Sequence, residues 1–174
     1  GSGAACADPI LVPSFPFTLD GTSFAADFTD DATGLGDGLG CRAGGDGADL
    51  FVSAWMLPGE SLLVTSDTGL PLEVQAMNSC TEGSACLASG TPPLLFTATA
   101  TGFVQIAVET WGASYDGNYD ITFSKPRQLL AGESCYPNWQ TGVCTQGYFC
   151  GFNAGSNTGY SCQQTDQGDT CGDP

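Results

Sequence analysis

Residues 48–56 read ADLFVSAWM, and their alternation decides the fold. Successive side chains of a strand point to opposite faces, so Leu50, Val52, Ala54 and Met56 share one side of an extended chain. Phe51 and Trp55 fall on the other, which predicts cover on both faces. The same two-residue period recurs downstream. In PLEVQAM (71–77), Leu72, Val74 and Ala76 face one way and Glu73 and Gln75 the other. In GFVQIAVET (102–110), Val104, Ile106 and Val108 stand against Gln105 and Glu109, and in NYDITF (118–123) Tyr119, Ile121 and Phe123 share a face. SLLVTSD (61–67) and LLFTATA (94–100) add further short apolar runs. Upstream, SFPFTL (14–19) and TSFAADF (22–28) flank Asp20-Gly21, a hairpin signal. No window sustains an apolar repeat at helical spacing. About eight short strands divided by Gly and Pro predict an all-β chain, a jelly-roll-like antiparallel β-sandwich.

Composition changes at SKPRQLLAGESC (124–135), where two of the three basic residues sit together. The expected organisation is a sandwich over 1–124, a linker over 125–131 and a cysteine-rich module over 132–174. That last segment holds five cysteines and few aliphatic side chains, so disulfides must staple it.

Nine cysteines in 174 residues point to an oxidising compartment and a secreted or cell-surface protein. Nineteen acidic residues against three basic ones give a formal charge of −16. Arg42, Lys125 and Arg127 cannot form a basic patch, which argues against nucleic acid and against an anionic membrane surface. No apolar run approaches a membrane span, and GSGAACADP at the start reads as a mature N-terminus or a tag remnant rather than a signal peptide. Histidine is absent, which rules out Ser–His and Cys–His nucleophile pairs. Paired carboxylates could serve a glycosidase, but that chemistry needs a deep cleft, rare in so small a sandwich. The chain reads as non-catalytic.

Of the four cysteines in the first unit, Cys6 and Cys41 lie on either side of the first strands, and Cys80 and Cys86 close a short loop in NSCTEGSACLAS (78–89). Sequential pairing, Cys6–Cys41 with Cys80–Cys86, is the simplest of the connectivities four cysteines allow. Metal ligation fits poorly, since the spacings are not those of a zinc knuckle. In the module the spacing is C-x8-C-x5-C-x11-C-x8-C. GESC at 132–135 and GDTC at 168–171 share a pattern 36 residues apart, as though a repeat restarts at Cys171. The first copy then closes internally, and the favoured pairing is Cys135–Cys150 with Cys144–Cys162. Cys171 is left either unpaired or used internally or across a subunit interface.

The order of an N-terminal Cys, a second Cys before GADLFVSAWMLPGESLLVTSD, a tight CTEGSAC loop and a closing LLFTATATGFVQIAVETWGASYDGNYDITFS resembles the bacterial pre-peptidase C-terminal domain family. The resemblance spans roughly residues 5–124 and is closest to versions in large secreted proteins of myxobacteria and their relatives. It implies a jelly-roll-like sandwich serving as a non-catalytic accessory module, with calcium bound in some relatives and matrix polymers such as collagen in others. Trp111 and Tyr115 depart from it, filling a loop where small residues are usual. The cysteine-rich segment is similar to small modules that follow such sandwiches in bacterial surface proteins.

Two stretches could carry binding chemistry. DFTDDATGLGDGLGCRAGGDGADLF (27–51) sets Asp27, Asp30, Asp31, Asp37, Asp46 and Asp49 among seven glycines. Carboxylates on a tightly turning backbone suit Ca²⁺, which takes six to eight oxygens. Asp30, Asp31 and Asp37 are the leading ligands. The alternative is a solvated acidic loop, with Asp49 simply opening a strand. GGDGADLFV (44–52) fits the calcium-binding nonapeptide only once, whereas that site needs stacked copies. In ETWGASYDGNYD (109–120), Trp111 and Tyr115 could stack on a sugar or peptide, or cap the sandwich; Tyr119 has a core phase. Trp139 is the expected core residue of the module. The function expected is a non-catalytic extracellular accessory or adhesion module, with Ca²⁺ as a candidate cofactor and a polymer or cell-surface ligand as partner. The alternative is a structural subunit that self-assembles into a fibre or surface layer through open strand edges.

Overall fold

The computed structural model describes residues 3, 5–23, 49–67, 72–81, 84–110, 118–136, 142–145 and 148–164. The chain divides into two compact units, Gly1–Lys125 and Pro126–Pro174. Among the described residues every regular element is a strand, and no helix is long and apolar enough to cross a membrane.

The first unit holds β1 (Ile10–Leu11), β2 (Phe17–Ser23), β3 (Asp49–Met56), β4 (Ser61–Ser66), β5 (Leu72–Met77), β6 (Cys86–Gly90), β7 (Leu94–Thr97), β8 (Gly102–Thr110) and β9 (Asn118–Ser124). They form a five-stranded sheet, β1-β3-β8-β5-β6, and a four-stranded sheet, β2-β9-β4-β7. The pairing follows one rule: β2 with β9, β3 with β8, β4 with β7 and β5 with β6, all antiparallel. A long hairpin ribbon paired this way and rolled up, closed by β4–β9 and β5–β8, is a jelly roll. β1 joins the edge of β3 in parallel.

The alternating residues read from the sequence make the core. Leu50, Val52, Ala54 and Met56 of β3 meet Val104, Ile106 and Val108 of β8 and Leu72, Val74 and Ala76 of β5. Leu62, Val64, Phe96, Ile121 and Phe123 come from the opposite sheet. Phe17 and Phe123, directly paired, bring their ring centroids to 6.3 Å.

Two sequence expectations are corrected. Asp20-Gly21 does not turn a hairpin: β2 runs through it as one strand, and the ladder with β9 shifts register between Leu19 and Thr22. A glycine inside a strand marks a bulge as readily as a turn. Cys6 bonds Cys80, with Cα atoms 5.6 Å apart, so neither Cys6–Cys41 nor Cys80–Cys86 forms. Gly3 accepts a hydrogen bond from Phe51 N–H. That ties the N-terminal segment to the β3 edge and sets Cys6 against Phe51, Met77 and Ala107, within reach of Cys80. The two units divide within 125–131, the stretch expected as a linker. Lys125 belongs to the first unit, while Gln128–Leu129 form β10 and pair in parallel with β11 (Val143–Cys144).

The second unit adds a hairpin of β12 (Tyr148–Phe152) and β13 (Tyr160–Gln164). Among the described residues its core is Leu129, Cys135 and Cys162, with Cys144, Tyr148, Cys150 and Tyr160 packed around them. Disulfides join Cys135 to Cys150 and Cys144 to Cys162. Trp139 lies outside the described residues.

Candidate functional site

The outer face of the five-stranded sheet, turned away from the core, carries the unusual chemistry of the first unit. Register places its residues in rows. Trp55 pairs with Phe103. Next come Leu11, Ser53, Gln105 and Met77, then Phe51, Ala107 and Gln75, then Asp49, Glu109 and Glu73.

One end of this face is aromatic and open. Trp55 and Phe103 are 48% and 49% exposed, and their rings meet edge to face with centroids 5.0 Å apart at 77°. Leu11 is 57% exposed and lies beside Ser53, one row away. Gln105 Nε2 donates to Ser53 Oγ at 3.1 Å, giving the aromatic pair a neutral polar neighbour. The Trp55 carbonyl accepts from Lys125 Nζ at 3.3 Å, which pins the end of β3 without occupying the indole.

The middle of the face is covered. The Cys6–Cys80 disulfide packs with Phe51, Met77 and Ala107, all buried. Their burial explains how β3 can be apolar on both sides.

The far end is polar and yet buried. Glu73 is 4% exposed and Glu109 1%, and the two stand directly opposite each other on β5 and β8. Side chains so paired have Cβ atoms about 5 Å apart. Two ionised carboxylates at that distance repel by roughly 3 kcal/mol at an effective dielectric constant near 20. Gln75, two residues along the same face, is 0% exposed, and neither atom of its amide has a hydrogen-bond partner. The sequence marked Glu73, Gln75 and Glu109 as polar-face residues; alternation alone cannot show that the polar face is shut off from water.

Most residues singled out in the sequence lie outside the described residues: Asp27, Asp30, Asp31, Asp37 and Asp46, Trp111 and Tyr115, Cys41 and Cys171. Asp49 opens β3, opposite Glu109. The aromatic pair Trp55–Phe103 was not singled out as a binding surface, although Trp55 has the non-core phase of its strand. Among the described residues the one tight group of metal-ligand atoms is Cys135, Cys144 and Cys162, within 4.8 Å of one another. All three sulfurs are tied in disulfides and offer no thiolate.

No family model matches the chain, and no curated protein matches it. Among solved structures, a similarity is found to the crystal structure of Aeromonas hydrophila PliG, a periplasmic lysozyme inhibitor of g-type lysozyme, 8% identical with a TM-score of 0.43, covering 67% of this chain and 94% of that one. Fold and site together define the class: a jelly-roll β-sandwich joined in sequence to a disulfide-stapled β-module.

Proposed function

We propose that the chain is a non-catalytic extracellular accessory module that holds a single chain of an uncharged polysaccharide against Trp55 and Phe103. We also assign the first unit to the pre-peptidase C-terminal type of domain, on the sequence features given above. The observation that carries the binding reading is the half-exposed, edge-to-face aromatic pair on the outer sheet face. Aromatic rings lose little entropy on binding and present an apolar face to the C–H surface of a sugar ring. Their 77° angle leaves one ring free to stack while the other walls the side, which fits one chain rather than a flat crystalline surface. Ser53 and Gln105 lie in the adjoining row as neutral polar groups. A net charge of −16 repels anionic polymers and favours a neutral one. The disulfides suit the oxidising exterior where such polymers occur.

Affinity electrophoresis through gels containing neutral glucans, glucomannan or xyloglucan tests this. The parent protein should be retarded by at least one of them, and Trp55→Ala and Phe103→Ala should migrate freely at an unchanged melting temperature. Equal retardation of the variants, or none for any neutral glycan, overturns the reading. Retention on collagen instead would redirect it to a protein polymer.

A further inference from the structure

We propose that the second unit carries a site of its own for an uncharged polysaccharide, on the hairpin face that presents Phe152 and Tyr160. Its ligand class is that of the Trp55–Phe103 surface, on whose glycan reading the assignment rests. Phe152 and Tyr160 pair directly across β12 and β13, as Trp55 and Phe103 do across β3 and β8. Their rings meet edge to face with centroids 5.9 Å apart at 87°, against 5.0 Å and 77° in the first unit. Phe152 is 72% exposed and offers a free ring face, while Tyr160 packs on the cysteine core and backs it. In both units a side-chain amide next to the pair donates to a serine hydroxyl: Gln105 Nε2 to Ser53 Oγ at 3.1 Å, and Asn153 Nδ2 to Ser161 Oγ at 2.9 Å. Each unit thus sets an exposed ring, a second ring at its edge and a neutral hydrogen-bonding neighbour on one pair of strands.

Composition selects the occupant. The chain carries a formal charge of −16, yet residues 134–165 contain no Asp, Glu, Lys or Arg and draw their polarity from Asn, Gln, Ser and Thr. A charged peptide or polymer finds no counter-charge there. Amides and hydroxyls both donate and accept hydrogen bonds, as sugar hydroxyls do, and an aromatic face takes the C–H side of a sugar ring. The opposite face of the hairpin is already filled by its own side chains. Phe149 lies over Gly151, where a Cβ would come within 2.8 Å of the Phe149 ring and of the Gln163 amide. Gln163 Nε2 is spent on the Phe152 carbonyl at 2.8 Å.

Amide chemical shifts of the full oxidised chain, titrated with hexasaccharides of neutral glucan, glucomannan and xyloglucan, test the site. A gel reads the polymer, on which two sites in one chain reinforce each other, whereas a short fragment reads each site alone. In a Trp55→Ala background at least one hexasaccharide should move the amides of Phe152, Asn153, Tyr160 and Ser161. Adding Phe152→Ala or Phe152→Leu should weaken that response at least about tenfold in Kd. Leucine keeps an apolar side chain without a ring, and it decides should the alanine variant fail to fold. No movement of the hairpin amides with any of the three fragments overturns the site, as does movement that Phe152→Leu leaves intact. Shifts around Trp55 and Phe103 in the parent, with none in the hairpin, leave the first surface standing and this one wrong. Hairpin shifts with none around Trp55 in the parent leave this site standing and the first reading wrong. Hairpin shifts that follow protein concentration without glycan mean that the face meets a second copy of the chain, and the glycan site is wrong.

Discussion

Glu60 Oε2 and Lys125 Nζ lie 2.6 Å apart, and the same oxygen accepts the Leu57 N–H at 2.7 Å. The Glu60 N–H returns to the Leu57 carbonyl at 3.1 Å. Gly59 takes φ 82°, as the third position of a type II turn requires. The second unit builds the same device from a near-identical stretch. Leu57-Pro58-Gly59-Glu60-Ser61 is matched by Leu130-Ala131-Gly132-Glu133-Ser134. There the Glu133 N–H returns to the Leu130 carbonyl at 3.1 Å, Gly132 has φ 77°, and the Leu130 N–H donates to Glu133 Oε2 at 2.6 Å. Arg127 takes the place of Lys125 as the paired base. A turn whose carboxylate ties off its own first N–H and also anchors a cation recurs in two unrelated β-units.

The first turn carries a pH signature. Partial burial works to raise the Glu60 pKa, but the Lys125 hydrogen bond, the Leu57 N–H and the Lys125 charge outweigh it and hold the carboxyl below its ordinary 4.5. A carboxylate lowered on folding stabilises above its unfolded pKa, and that stability is lost as pH falls through the folded value. Glu60→Gln should therefore lower the melting temperature at pH 7, by the equivalent of no more than about 1 kcal/mol for a pair this accessible. The gap between variant and parent should close below pH 4.5. Melting curves across pH check it, and a gap constant with pH would sink the idea.

Three glycines with positive φ separate backbone strain from collision. A Cβ at Gly59 or Gly132 meets nothing within 4 Å, so alanine there costs only the left-handed backbone penalty, about 1–2 kcal/mol. At Gly142, φ is 134° and a Cβ would sit 2.2 Å from the Arg127 carbonyl oxygen. That oxygen accepts the Val143 N–H at 2.9 Å. Gly142→Ala must push β10 and β11 apart and should cost several times more than the other two. Urea denaturation of the three variants, followed by far-UV circular dichroism, gives the ranking. Similar losses in all three would refute it.

The sandwich was legible because its inner faces obey one rule. Leu50 to Met56, Leu72 to Ala76 and Val104 to Val108 alternate without interruption, and each buries the side the alternation names. What escaped the sequence depends on contacts distant along the chain. Asp20-Gly21 looks the same whether it turns or bulges, and only pairing with β9 decides. Cys6 meets Cys80 because the N-terminal segment is tied to β3, 74 residues earlier than its partner. The polar phase of β5 and β8 could be read, but not the cover that buries Glu73, Gln75 and Glu109. Trp55 was readable as a non-core residue, while its exposure beside Phe103 comes from strand register.

Cysteine arithmetic yields a third prediction. Cys86 is disulfide-bonded, and every other described cysteine is engaged in Cys6–Cys80, Cys135–Cys150 or Cys144–Cys162. Of the nine, Cys41 and Cys171 remain as partners for Cys86. Cys41 belongs with Cys86 in the first unit and Cys171 falls in the second. Non-reducing peptide mapping should find Cys41 linked to Cys86, with a single alkylatable thiol at Cys171. A Cys86–Cys171 peptide, or a reducible dimer with no free thiol, would show the opposite use of the ninth cysteine.

Reduction should take the two units apart in sequence. Cys150 and Cys162 face each other directly across the β12–β13 ladder, yet each is bonded elsewhere, to Cys135 and Cys144. The two bonds therefore tie both strands of one hairpin to two different points upstream. Their sequence separations are 15 and 18 residues, and loops of that length contribute about 3 kcal/mol each by restricting the unfolded chain. Against that, the buried apolar residues of the unit among the described residues are Leu129, Val143 and the two cysteines Cys135 and Cys162. A core of those residues is expected not to offset the chain entropy of ordering the unit once the cross-links are gone. The first unit keeps its core across two sheets, whether or not Cys6–Cys80 is intact. Hydrogen exchange in a phosphine reductant should show residues 148–164 losing protection while β3 and β8 retain theirs. A hairpin that stays protected after complete reduction would mean that packing around Leu129, and not the interleaved disulfides, holds the second unit together.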